Sequence, residues 1–164
     1  MIVIALGANL NSHVGAPRKT LTAASEMLAG RGVKISKTSP FYATPAWPDP
    51  TDPSYVNAIA CVETEFSPDQ LMKVLHSIES AFGRTRGARN APRTLDLDLI
   101  DYDGRVEEGP PVLPHPSLGQ RAFVLVPLAD VAPGWRHPVT GQTVEQLIAA
   151  LPERERAAVK PASA

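Results

Sequence analysis

At 164 residues, 43% hydrophobic and 20% charged, the chain has the composition of one globular domain with a substantial core and is too short for two. A formal charge of −1 excludes any general electrostatic draw toward nucleic acid or an anionic membrane, so a local basic cluster matters as a site. No run approaches the ~20 apolar residues of a membrane span, the N-terminus lacks a basic signal region, and a single cysteine, Cys61, fits a reducing cytoplasm.

Residues 2–6 predict a buried strand ending at Gly7, followed by a helix over about 16–30 with Leu21, Ala24 and Leu28 on one face and Gly30/Gly32 closing it. Val33 to Ser39 has β character and runs into Phe41-Tyr42. Prolines rule out helix or central strand over 43–53. Tyr55 to Glu65 alternates, with Val56, Ala58, Ala60 and Val62 on one face and Tyr55 and Asn57 on the other. The clearest helix starts at Ser67, with Pro68 at N1 and Gln70 at N3 as a capping box. Leu71, Val74, Leu75, Ile78 and Phe82 form its buried stripe and Gly83 ends it. Glu79 and His76 lie off that stripe. A strand over 95–102, a turn at Asp103-Gly104, helices over 120–131 and 143–151, and an exposed tail over 152–164 complete the single domain. No internal repeat occurs. The order predicts an α+β fold with a ferredoxin-like βαββαβ core: an antiparallel sheet, helices on one face, and extra C-terminal helices.

The segment Arg93-Thr94-Leu95-Asp96-Leu97-Asp98-Leu99 carries the chemistry. Alternation in a strand turns Asp96 and Asp98 to one side and the leucines to the other. With Cα atoms ~6.6 Å apart, the two carboxylates can share bound cations. Paired acids on a strand are also what an ordinary solvated edge presents. The arginines at 84, 86, 89 and 93 just upstream tip the balance toward nucleotide phosphate chemistry with Mg²⁺.

In order along the chain stand Ala5-Leu6-Gly7-Ala8-Asn9-Leu10, Ser39-Pro40-Phe41-Tyr42-Ala43-Thr44-Pro45, Tyr55-Val56-Asn57-Ala58, Gly83-Arg84, Pro92-Arg93-Thr94-Leu95-Asp96-Leu97-Asp98, Leu113-Pro114-His115-Pro116 and Arg121-Ala122-Phe123. With these, the chain resembles the 6-hydroxymethyl-7,8-dihydropterin pyrophosphokinase family of the folate pathway. The resemblance covers about residues 2–150. It implies transfer of pyrophosphate from ATP to the pterin hydroxymethyl group, leaving AMP, by a cytoplasmic monomer that takes these small molecules and no nucleic acid or membrane. Asp96 and Asp98 would hold two Mg²⁺ ions, and Arg84 and Arg93 would clamp phosphates. His115 and Arg121 would meet the nucleotide from the opposite wall, with Glu79, His76 and Leu99 also on the nucleotide side. Tyr55 and Phe123 would sandwich the pterin, while Asn57 and Thr44 would meet its polar edge. Loops 43–53 and 84–93 would close over both substrates.

The chain departs from that pattern in the loop Arg89-Asn90-Ala91, where many members carry a tryptophan, and Trp47 is expected to cover the site instead. Pro110-Pro111 stands where an arginine is usual, and Pro116 follows the histidine in place of an aromatic. His13 and His137 are expected to be solvated loop residues, Trp135 a packing residue and Cys61 a small buried hydrophobe. Two rivals remain at the level of residues alone. A nucleotidyltransferase would use the same Asp-x-Asp pair. The other is a ferredoxin-like binding module for a small ligand or RNA, and an RNA binder of this shape would carry basic charge where this chain puts acids.

Overall fold

The computed structural model describes residues 1–85, 87 and 91–162. Its elements are β1 (Ile2–Ala8), α1 (Pro17–Gly30), β2 (Lys34–Thr38), β3 (Tyr42–Thr44), β4 (Tyr55–Glu63), α2 (Pro68–Ala81), β5 (Asp96–Tyr102), α3 (Ala122–Val131), α4 (Val144–Ala149), α5 (Glu153–Ala157) and β6 (Lys160–Pro161). The antiparallel sheet runs β5-β1-β4-β3-β6, with β2 pairing the far end of β4. Taking β2 and β3 together as one broken strand gives the ferredoxin-like arrangement, with β1 and β4 central.

Local chemistry explains the helices. Ser67 accepts from the Gln70 amide while the Gln70 side chain accepts from Ser67 N, the capping box expected at the start of α2. At its end Gly83 adopts φ +79°, donates to Ser80 O, and lets Arg84 N reach back to Glu79 O at 3.1 Å. This is a Schellman closure that a side chain at 83 would strain. Thr143 and Gln146 form a second capping box on α4.

Strand β1 is buried on both faces, and the structure corrects two expectations here. The strand continues through Gly7 to Ala8. Helices cover both faces of the sheet instead of one. Ile2, Ile4, Leu6 and Ala8 pack with Leu97 and Leu99 against α1 and α2. Val3, Ile59, Cys61 and Ile100 pack against α3 and α4, with Trp135 in the same cluster. A nearly continuous apolar strand needs cover on both sides, which the C-terminal helices supply.

A bulge between Val3 and Ile4 leaves Ile100 unpaired in β5. Alternation therefore holds through Leu99, after which Ile100 and Asp101 both turn to the α3 side and Tyr102 returns to the α1/α2 side. Residues 152–162 of the expected tail are mostly exposed, yet they form α5 and add β6 to β3, with Ala162 N donating to Phe41 O at 2.8 Å. Among the described residues no helix is long and apolar enough to cross a membrane.

Candidate active site

The C-terminal helices cover only part of their face of the sheet. At the other end of that face, the start of β4, the end of β1 and the start of β5 lie side by side with half-exposed residues. Gly7 of β1 pairs with Asn57 on one side and Asp96 on the other. A Cβ on Gly7 would meet Asn57 Oδ1 at 2.8 Å, so the floor between these two side chains has to be bare backbone. From sequence Gly7 reads as a strand end; its position inside an apolar strand run is the one signal of its role here.

Asp96 and Asp98 share this face, as alternation requires, with side chains 24% and 30% exposed. Among the described residues, three guanidinium groups converge on them. Arg84 donates to Asp96 Oδ1 at 2.8 Å, Arg93 approaches the same oxygen at 3.4 Å, and Arg121 lies 4.0 Å from Asp98 Oδ2. Partial burial, with the Asp96 charge beside it, pushes the Asp98 carboxyl up to about 6.

Glu79 lies elsewhere than its helical stripe suggests. It is 2% exposed, wedged between α2 and β5, where Oε2 accepts from Leu97 N at 2.9 Å and from Arg84. Burial raises its carboxyl to about 7 despite that hydrogen bond and the Arg84 charge. Its visible work is to hold Arg84 against β5. His76 is exposed on α2, one turn away from Glu79. The Leu99 side chain, expected on the nucleotide side, is 3% exposed within the α1/α2 core, because it alternates with Asp98.

On the opposite wall His115 is tied to the sheet edge by its own amide, which donates to Ile100 O at 2.9 Å. Its Nδ1 accepts from Ser117 N at 3.2 Å, leaving Nε2 as the N–H in the neutral ring. Burial and the Arg121 charge both lower its pKa, which favours that neutral ring. Arg121 also lies 5.6 Å from the Phe123 ring centroid. Phe123, 36% exposed, opens α3, and Pro127 within that helix removes the amide that the Phe123 carbonyl would otherwise accept from.

Tyr55, Asn57 and Thr44 form the other half. Asn57 and Thr44 are each 6% exposed, and Asn57 Nδ2 donates to Thr44 Oγ1 at 2.7 Å. Burial raises the Tyr55 phenol, with Arg93 opposing and Asp96 adding to the shift. The phenol thus lies within electrostatic reach of Arg93, Asp96 and Arg84. Trp47 is 73% exposed in the proline-rich loop and has not joined this wall. Arg86, Arg89 and Asn90 lie outside the described residues. His13 is an exposed loop residue, as expected, and its ring also stacks on Phe82 at 5.4 Å. Trp135 is buried and donates to Asp101, and Cys61 is buried and free.

Residues 3–133 match the family model described as 7,8-dihydro-6-hydroxymethylpterin-pyrophosphokinase. The chain is similar to the 2-amino-4-hydroxy-6-hydroxymethyldihydropteridine pyrophosphokinase of Methylorubrum extorquens, 40% identical over 144 residues, covering 87% of this chain and 90% of that protein. The enzyme of that name from Synechocystis sp. is 39% identical over 147 residues, covering 89% and 73%. Among solved structures, the HPPK-DHPS protein of Plasmodium falciparum superposes with a TM-score of 0.64 at 14% identity, over 89% of this chain but only 43% of that one. That likeness speaks for the fold, and the sequence matches speak for the lineage. The chain belongs to the 7,8-dihydro-6-hydroxymethylpterin-pyrophosphokinase family.

Proposed function

We infer that this chain transfers the β,γ-pyrophosphoryl group of ATP to the hydroxymethyl oxygen of 6-hydroxymethyl-7,8-dihydropterin, releasing AMP, as a step of folate biosynthesis. The observation that carries this reading is the pairing of Gly7 with both Asn57 and Asp96. That register sets the buried Asn57 amide across one bare backbone position from Asp96, the first of two acids that Arg84, Arg93 and Arg121 approach. The hydroxymethyl oxygen bonds to the β-phosphorus and gives up its proton, the bond from that phosphorus to the α-phosphate oxygen breaks, and AMP leaves with the electron pair.

The residues fit divalent cations of the Mg²⁺ type. Asp96 and Asp98 offer only hard oxygen donors on a half-exposed face, and among the described residues the cation paired with Asp98 Oδ2, Arg121 at 4.0 Å, does not saturate it. No group of three or more His, Cys, Asp or Glu residues forms a closed cage among the described residues. Mg²⁺ suits such an open site because it takes one or two carboxylates and completes its shell with water and substrate phosphates. Two ions held there would supply charge to the attacking and leaving oxygens. Arg84, Arg93 and Arg121 supply planar forks for phosphate oxygens, and His115 offers Nε2–H from the facing wall. Tyr55 and Phe123 supply the two aromatic faces for the pterin, and Asn57 and Thr44 its polar edge.

Incubation with ATP, Mg²⁺ and the hydroxymethyl pterin, followed by separation of nucleotides, tests the reading. AMP and a pterin diphosphate in equal amounts are expected, with the reaction stopped by EDTA. ADP as the product would mean that a different phosphorus is attacked.

A further inference from the structure

The proposed machinery comes in two halves carried on different strands: Tyr55 and Asn57 on β4, and Arg93 with Asp96 at the approach to β5. One buried side chain outside that machinery touches the segments leading into both. Asn9, one residue beyond the end of β1, is 4% exposed. Its Oδ1 accepts from Arg93 N at 2.8 Å, and its Nδ2 donates to Pro53 O at 3.0 Å. The backbone strengthens the first link, since Asn9 N and Leu10 N both donate to Arg93 O at 3.2 Å. Pro53 stands two residues before Tyr55, and Arg93 three residues before Asp96.

A buried amide has given up water, so both of its bonds are compulsory. Breaking either leaves a desolvated group behind, and the amide's rigid geometry fixes the distance between the two segments it bridges. Nothing in the α1/α2 core needs this side chain, because the apolar floor of β1 ends at Ala8.

We propose that Asn9 is a positioning residue that couples the pterin half of the site to the phosphate half, by tying Pro53 to Arg93. Ordering of the phosphate-side segment around a nucleotide is passed through this amide to the segment leading into Tyr55, and the reverse holds by thermodynamic reciprocity. The inference rests on the proposed function, since it takes its two ligands from that reading.

The test is calorimetric titration of the full chain with 6-hydroxymethylpterin, with and without Mg²⁺ and α,β-methylene-ATP. In the wild type the nucleotide analogue is expected to tighten pterin binding, by a factor in the ordinary range of ~5–150 for coupled sites. In Asn9→Ala that factor should fall to within about twofold of unity, while affinity for the analogue alone changes by less than about threefold. Asn9→Asp keeps an acceptor for Arg93 N but loses the donor to Pro53. It should therefore lose the coupling as Asn9→Ala does, which supplies a second variant if alanine unfolds the chain. An unchanged factor in a folded variant would overturn the coupling role, even if its melting temperature fell. A wild type that binds both ligands without coupling would overturn it too. Failure of the wild type to bind pterin at all would instead overturn the functional reading on which it rests.

Discussion

Gly7 and Asp98 show how single residues here serve the site at the expense of the fold. A Cβ on Gly7 fits the backbone conformation but would stand 2.8 Å from Asn57 Oδ1, so the amide has to rotate or withdraw. Gly7→Ala is therefore expected to raise the KM for the pterin at least about tenfold, equivalent to ~1.4 kcal/mol of lost binding. The KM for ATP should change far less, and steady-state kinetics with each substrate varied in turn would show the split. Equal effects on both constants would mean that the glycine serves the sheet rather than the Asn57 amide. Asp98 carries its cost in charge. Burial and the neighbouring Asp96 hold its carboxyl at about 6, above its ordinary 3.8, so the folded chain without metal binds the proton more tightly than the unfolded chain does. The stability this lends is fully present below about 3.8 and is lost as pH rises through about 6. Asp98→Asn should therefore stabilise the metal-free chain at pH 7.5 by about 1 kcal/mol, after discounting for solvent at a side chain 30% exposed. It should show no gain at pH 4 and should abolish pyrophosphoryl transfer. Thermal melts at the two pH values with EDTA decide the matter, and a variant less stable at pH 7.5 would remove the repulsion from the account. The same sign predicts that Mg²⁺ affinity weakens as pH falls below about 6, because proton and cation compete for one carboxylate.

At the scale of elements, α2 links a legible signal to the chemistry. Ser67, Pro68 and Gln70 announce its start in the sequence, and Gly83 announces its end, because each residue type has a specific use at a helix terminus. The two ends serve different purposes. Ser67 caps a solvent-exposed turn, whereas Gly83, at φ +79°, turns the chain so that Arg84 meets Glu79 and Asp96. Ser67→Ala and Gly83→Ala should each cost about 1 kcal/mol of stability. Only Gly83→Ala should lower kcat, as Arg84 loses its aim, and melting curves paired with turnover numbers separate the two. The alternation of Asp96 and Asp98 against Leu95, Leu97 and Leu99 was equally legible, since period two leaves little choice on a strand with one buried face. Three features were not. The bulge at Ile100 depends on how β5 registers against β1, which local sequence does not encode. Glu79 reads as an off-stripe helix residue, and only the approach of β5, whose Leu97 N it accepts, makes it an interior group. The pairing of β6 with β3 joins two short segments far apart in sequence, with no hydrophobic pattern long enough to forecast it.

Across the whole molecule, the proposed site is the part of a two-sided sheet that the C-terminal helices leave uncovered. That arrangement leaves Trp47 as a conspicuous cost, a large aromatic 73% exposed on a proline-rich loop whose other end, at Pro53, is anchored by Asn9. Exposed indole surface of this size is better covered, and a pterin held between Tyr55 and Phe123 would present an apolar face that could cover it. The chain has only two tryptophans, and Trp135 is 5% exposed with its Nε1 donating to Asp101 Oδ2 at 2.8 Å. Iodide quenching of tryptophan emission therefore reports on Trp47 almost alone. In the free chain the quenchable fraction should be large. In the presence of 6-hydroxymethylpterin, Mg²⁺ and α,β-methylene-ATP together it should fall severalfold, with a smaller change for either ligand alone. Trp47→Phe should abolish the quenchable signal, which checks the assignment. It should also raise the pterin KM by a modest factor, as the smaller ring covers less of the bound heterocycle. If Trp47 stays fully quenchable in the ternary mixture, the loop does not close over the pterin, and water must be excluded from the transfer by the segment around Arg93 instead.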